Sequence, residues 1–182
     1  MNTGARVKLS WYEAAIGSYV GMLRQLASLK RGLQQCAGHE GASWNVHLEG
    51  ASGEMAVAKH LNVYWGGGIN TFKDDDLPGL QIRLRTRHDH DLILRRQDSE
   101  RAIWVLITGT SPDFWIRGWI YGHEAKTPER LQKYGKDRSE GYVIPAEALH
   151  PIETLPGYQK LPAVASCDNP EPTGASSDSS PP

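Results

Sequence analysis

Residues 102–108 read AIWVLIT, apolar at almost every position. A strand exposed on one face alternates apolar and polar side chains, so an unbroken apolar run belongs to a central strand covered on both faces. Other short β-prone runs surround it, at about 79–87, 91–96 and 114–121, separated by HDH, RQDSER and GTSPD, which carry turn chemistry. The series predicts a β-meander. Its first strand alternates, with Leu80, Ile82 and Leu84 on one face and Gln81, Arg83, Arg85 and Arg87 on the other. Further on, GHEAK suits one helical turn, EGYVIP a last short strand and PAEALHPI a final turn of helix.

Two helical segments come before the strands. Ser10 with Glu13 three residues later forms a capping-box pattern, and Trp11, Ala15, Tyr19, Met22, Leu23, Leu26 and Leu29 recur at helical spacing. Lys30, Arg31 and Gly32 suit the helix end, and Gly17 and Gly21 suit close packing on a neighbour. A second helix is expected from about Ala51 to Leu61, with Met55, Ala58 and Leu61 as its buried stripe, Ala51 and Val57 flanking it, and Glu54 in its first turn. The order predicts an α+β fold: a central mixed or antiparallel sheet of about 4–5 strands with the N-terminal helices packed on one face. A polar arm over 1–9 and a single domain over 10–162 are expected. The Ser/Pro/Gly/Asp-rich segment 163–182 has almost nothing to bury and reads as a disordered tail.

The 182 residues are 39% hydrophobic and 23% charged, with a net charge of −1. That balance gives no global attraction to nucleic acid or membranes, so any DNA-binding face must be a local patch. The two cysteines, Cys36 and Cys167, lack zinc-ligand spacing, and no apolar stretch is long enough to span a bilayer. A cytoplasmic protein is expected. The glycines at 66–68 are not followed by a lysine-bearing helix, so they are not a P-loop, and there is no G-x-S-x-G element.

Three pieces could converge on one chemistry: Glu54 on the second helix, Asp76 at the end of KDDD, and Gln81 with Arg83 on the strand. Carboxylates hold a hard divalent cation, and a neighbouring basic group stabilises charge developing on phosphorus. Each piece has a plainer reading. An acid is favoured in a first helical turn, Glu49 can cap the helix, Asp74 to Asp76 can form a solvated turn, and Arg83, Arg85 and Arg87 can be an exposed strand face, with Lys73, Arg95 and Arg96 beside it. RHDHD, residues 87–91, suits a polar turn better than a His88/His90 metal site. Trp104, Trp115 and Trp119 suit sheet packing better than base stacking, and KYGKDR is a basic loop.

The segment GASGEMAVAKHL, followed by an aspartate, a turn and the QIR triplet, resembles the core of the PD-(D/E)XK nuclease superfamily. WNVHLEG, NTFK, TRHD, VLITGT and GWIYGHEAK, in that order, resemble small phage-type members of it. The resemblance covers roughly residues 8–155. It implies a restriction-endonuclease-like core and a Mg²⁺- or Mn²⁺-dependent nuclease acting on DNA, in the host cytoplasm if the protein is phage-encoded. It assigns Glu54, Asp76 and Gln81 to the metal and Arg83 to the scissile phosphate, with Arg85 and Arg87 on the flanking backbone. Gln81 stands where the superfamily has an acid, and Arg83 where it has lysine. Arginine keeps the charge but does not transfer protons. The alternatives are a catalytically impaired member that binds nucleic acid or a protein partner as a phage accessory factor, and a virion or assembly protein with no nucleic-acid role. A homo-oligomer is left open.

Overall fold

The structure, a computed structural model, describes residues 4–32, 43–69, 75–134 and 139–157. The apolar run at 102–108 becomes β4 (Ile103–Thr110), buried at every position from Trp104 to Gly109. It lies inside a four-stranded sheet with β1 (Ala5–Lys8), β2 (Leu80–Arg85) and β5 (Asp113–Tyr121), in the order β1-β5-β4-β2. The β5 strand pairs antiparallel with both β1 and β4, whereas β2 runs parallel to β4, so the sheet is mixed. The α+β class and the mixed sheet agree with the expectation. The meander does not.

The third strand, β3 (Leu92–Arg95), leaves the first sheet and joins β6 (Leu131–Tyr134) and β7 (Ser139–Ile144) in an antiparallel sheet of order β3-β7-β6. The physical reason is the second face of β4, which must also be covered. Leu92, Leu94 and Ile144 are fully buried and cluster with Trp104, Leu106 and Ile120 of the first sheet. Part of the basic KYGKDR segment therefore forms β6, while residues 135–138 lie outside the described set. The polar arm expected over 1–9 also supplies structure, because Ala5 to Lys8 pair with β5 and Val7 and Leu9 are buried. The 163–182 tail, both cysteines, Lys73 and Asp74 lie outside the described residues.

The opposite face of the first sheet is covered by the helices. Helix α1 (Trp11–Lys30) starts at the Ser10–Glu13 capping box, with both reciprocal hydrogen bonds formed. Helix α2 (Ser43–Leu61) begins about eight residues earlier than its apolar pattern suggests, so Glu49 and Glu54 lie within the helix and neither is in its first turn. Its Met55, Ala56, Val57 and Ala58 pack with Leu80, Ile82, Val105 and Ile107 of the sheet. Helix α3 (Gly122–Ala125) is the expected single turn. Among the described residues no helix is long and apolar enough to cross a membrane.

The two long helices approach closely because α1 has glycines at the points of nearest approach. A Cβ on Gly21 would lie 2.5 Å from the His47 carbonyl oxygen and from Leu48 Cα, and one on Gly17 would lie 2.8 Å from Ser52 Oγ. The obstacle at Gly21 is backbone, which cannot rotate away. Gly21→Ala is expected to cost about 1–3 kcal/mol in urea unfolding despite the better helix propensity of alanine. The apolar residues recurring along α1 do not face the core. Gly17, Gly21 and Gln25 are the buried ones, and the aromatic side is exposed. This reverses the usual orientation of an amphipathic helix.

Candidate functional site

Glu54 is 6% exposed and sits under α1. Arg24, on the inner side of α1, holds its carboxylate with two parallel bonds, Nη1 to Oε1 at 2.5 Å and Nη2 to Oε2 at 2.7 Å. The third Arg24 nitrogen, Nε, donates to the Gly68 carbonyl at 2.7 Å, and the Trp65 indole N–H donates to Glu54 Oε2 at 3.3 Å. Burial works against the Arg24 charge, but the hydrogen bonds and charge of Glu54 outweigh it and hold the guanidinium pKa above its ordinary value. This is the bidentate geometry in which arginine binds carboxylates most strongly.

Asp76 reaches the same place from the sheet. The segment Leu77–Leu80 closes a tight turn, with Leu80 N–H donating to the Leu77 carbonyl at 2.9 Å. Pro78 takes the second position and Gly79, at φ +75°, the third, as such a turn requires. The turn aims Asp76 back at the free edge of β2, where its Oδ2 accepts the Ile82 N–H at 2.7 Å. Burial and then the charge of Glu54 push the Asp76 carboxyl up from 3.8 to about 6, against the pull of the Ile82 N–H, Arg83 and Arg24. Its other oxygen, Oδ1, has no hydrogen-bond partner among the described residues. Asp76 is thus held at the sheet edge, within electrostatic reach of Glu54, even though its charged form is disfavoured. Perturbed acids of this kind concentrate at functional sites.

Gln81 and Arg83 lie on the other face of β2. Leu80, Ile82 and Leu84 face α2, whereas Gln81 is in register with Trp104, whose side chain lies in the layer between the two sheets. Gln81 Nε2 donates to Asp75 Oδ1 at 2.8 Å. The Arg83 guanidinium lies 4.4 Å from the Trp104 ring centre and bonds Asp98 Oδ2 at 3.0 Å. The structure therefore sets Asp76 at the edge of β2, within electrostatic reach of Glu54, and places Gln81 and Arg83 across the strand from Glu54. The expected arrangement, with Glu54 on the Gln81–Arg83 face, is not what forms. The cause is that α2 packs on the leucine side of β2.

The arginine row is not a free stripe. Arg87 is exposed and paired with Asp89 at 2.8 Å. Arg85 is half-buried, its Nε has no partner among the described residues, and burial lowers its pKa. Asp98, which holds Arg83, also accepts the Arg95 N–H at 2.8 Å, while Lys126 donates to its backbone carbonyl. Glu49 accepts the Ser111 N–H at 2.7 Å and ties α2 to the β4–β5 turn. His88 is a turn residue whose ring packs edge-on against Trp115 at 4.4 Å. Trp104 and Trp119 are buried in the sheet layers. Among the described residues no three His, Cys, Asp or Glu side chains form a group that could hold a metal.

No known protein family, curated protein or solved structure matches this chain. The site must therefore be judged by its own chemistry. Both Glu54 oxygens are engaged by Arg24, so among these two acids Asp76 Oδ1 is the open acceptor, and a hard divalent cation such as Mg²⁺ would have to displace the guanidinium to take Glu54 as a ligand. Arg24 and Arg83 offset the two negative charges when no cation is bound. Arg24 was not singled out in the sequence, although Gly17, Gly21 and Arg24, spaced four and three apart, place one charge on a face otherwise made of glycine.

Proposed function

We propose that the protein is a PD-(D/E)XK-like, divalent-cation-dependent nuclease acting on DNA phosphodiesters. Glu54 and Asp76 would hold Mg²⁺ or Mn²⁺ and Arg83 would contact the phosphate, whereas Gln81, the third ligand that the resemblance implies, lies across β2 from Glu54. The observation that carries this reading is that buried Glu54 and edge-bound Asp76, from elements remote in sequence, lie within electrostatic reach of each other, so that the Glu54 charge raises the Asp76 pKa. Such a cation, when bound, polarises a phosphate and lowers the pKa of water. The residues themselves position the charges: Ile82 N–H fixes one Asp76 oxygen, and Trp104 orients the Arg83 guanidinium. A mixed sheet with two N-terminal helices on one face is compatible with a restriction-endonuclease-like core.

A second reading is favoured by the Arg24–Glu54 fork. It engages both Glu54 oxygens, as expected of a nuclease-like protein that binds nucleic acid, or a protein partner, without cutting. The test is DNA cleavage in Mg²⁺ or Mn²⁺ with binding measured alongside. The nuclease reading requires both. The second gives salt-dependent binding without cleavage, weakened by Arg83→Ala and unaffected by Asp76→Asn.

A further inference from the structure

Every exposed residue of α1 from Trp11 to Leu29 is uncharged and apolar or aromatic. Trp11 is 74% exposed, Tyr12 61% and Tyr19 58%, and Ile16, Leu26 and Leu29 are each about half exposed. Helices of monomeric proteins in water place such a face against a core, and a contiguous apolar surface of this kind marks an interface. The opposite side of α1 is already used by α2, through Gly17 and Gly21. Three aromatics and three aliphatics exposed to this degree present roughly 600 Å² of apolar surface, close to the ~800 Å² per partner of a stable interface once neighbouring residues are added.

The pattern says what covers the face. Tyr12, Ile16, Tyr19, Leu23 and Leu26 are spaced four, three, four and three apart, the repeat by which one helix packs along another. Residues 158–182 are a poor cover, since Tyr158, Leu161 and Val164 are their sizeable apolar side chains, and the segments 1–3, 33–42, 70–74 and 135–138 add only Met1, Leu33 and Phe72. The seam is also unequal along its length, aromatic toward the N-terminus and aliphatic toward the C-terminus. An antiparallel two-fold pairing sets Tyr12 against the partner's Leu26, large against small at both ends of the seam, and Tyr19 near the axis, with the helix dipoles opposed. A parallel pairing stacks aromatics on aromatics and Lys30 on Lys30.

We infer that α1 is the interface of a homodimer, packed antiparallel on α1 of a second copy about a two-fold axis near Tyr19. This is independent of the nuclease reading. Sedimentation of the full chain at micromolar concentration is expected to give twice the chain mass. Ile16→Glu with Tyr19→Glu, both at exposed positions, raises the dissociation constant more than about 100-fold and leaves the circular dichroism unchanged. With Cys36→Ser and Cys167→Ser in place, Tyr19→Cys forms a covalent dimer on oxidation and Tyr12→Cys does not. A monomeric wild type, or a double variant that remains dimeric, overturns the inference. Self-crosslinking through Tyr12→Cys overturns the antiparallel arrangement.

Discussion

Asp76→Asn is expected to make the metal-free protein more stable, by on the order of 2 kcal/mol at pH 8. The reason is the position of the carboxylate, beside Glu54 and largely out of water, which lifts its pKa from 3.8 to about 6. Between those two values the folded protein binds more protons at this group than the unfolded chain does, so stability falls as the pH rises from about 4 to about 6 and is level above that. Asparagine keeps an oxygen for the Ile82 N–H at the same point and carries no charge to bury or repel. The two proteins should converge below about pH 4 and separate through the interval above it. Urea unfolding in a chelator across this range measures the effect. Equal stability at pH 8, or a less stable variant, would show that Asp76 is not held at a cost. Saturating Mg²⁺ should then stabilise the wild type and leave the variant unchanged, since a ligand stabilises only the state it binds.

Arg24→Ala should have the opposite sign and a larger size, a loss of about 3–5 kcal/mol. It leaves the buried Glu54 carboxylate with the long Trp65 bond as its remaining hydrogen bond among the described residues and frees the Gly68 carbonyl. Adding Glu54→Gln should recover much of the loss, because the larger part of it is the unpaired charge. The same variant separates the two functional readings. If the acids hold a cation, Mg²⁺ should stabilise Arg24→Ala more than it stabilises the wild type, since the ion takes over the guanidinium's charge. If the fork is the permanent partner of Glu54, Mg²⁺ should do nothing.

The alternation at 80–87, the capping box at Ser10 and the apolar run at 102–108 mark strands, the first helix and the need for two covering layers in the sequence itself. Alternation and apolar runs state which side of a strand is greasy, and nothing about which strand lies beside it. That is why β3 was read into a meander when it belongs to the second sheet, and why residues 5–8, too short to show a pattern, were read as an arm. In the candidate site the acids Glu54 and Asp76 were legible from local sequence, but their relation to Gln81 and Arg83 depends on which face of β2 carries α2. The stripe on α1 was visible and its direction was not. Two glycines, rather than the large apolar residues, decide which side of that helix meets α2.

The central claim is that Glu54 and Asp76 form a cation site for phosphodiester hydrolysis. Its most direct test is cleavage of linear, nicked and single-stranded DNA by the full chain with Mg²⁺, with Mn²⁺ and with chelator, beside an Asp76→Asn protein shown to be folded. The account predicts cleavage that requires the divalent ion and falls at least about 100-fold in Asp76→Asn. Absence of cleavage of any DNA form with either ion, or cleavage that persists in Asp76→Asn, would contradict it.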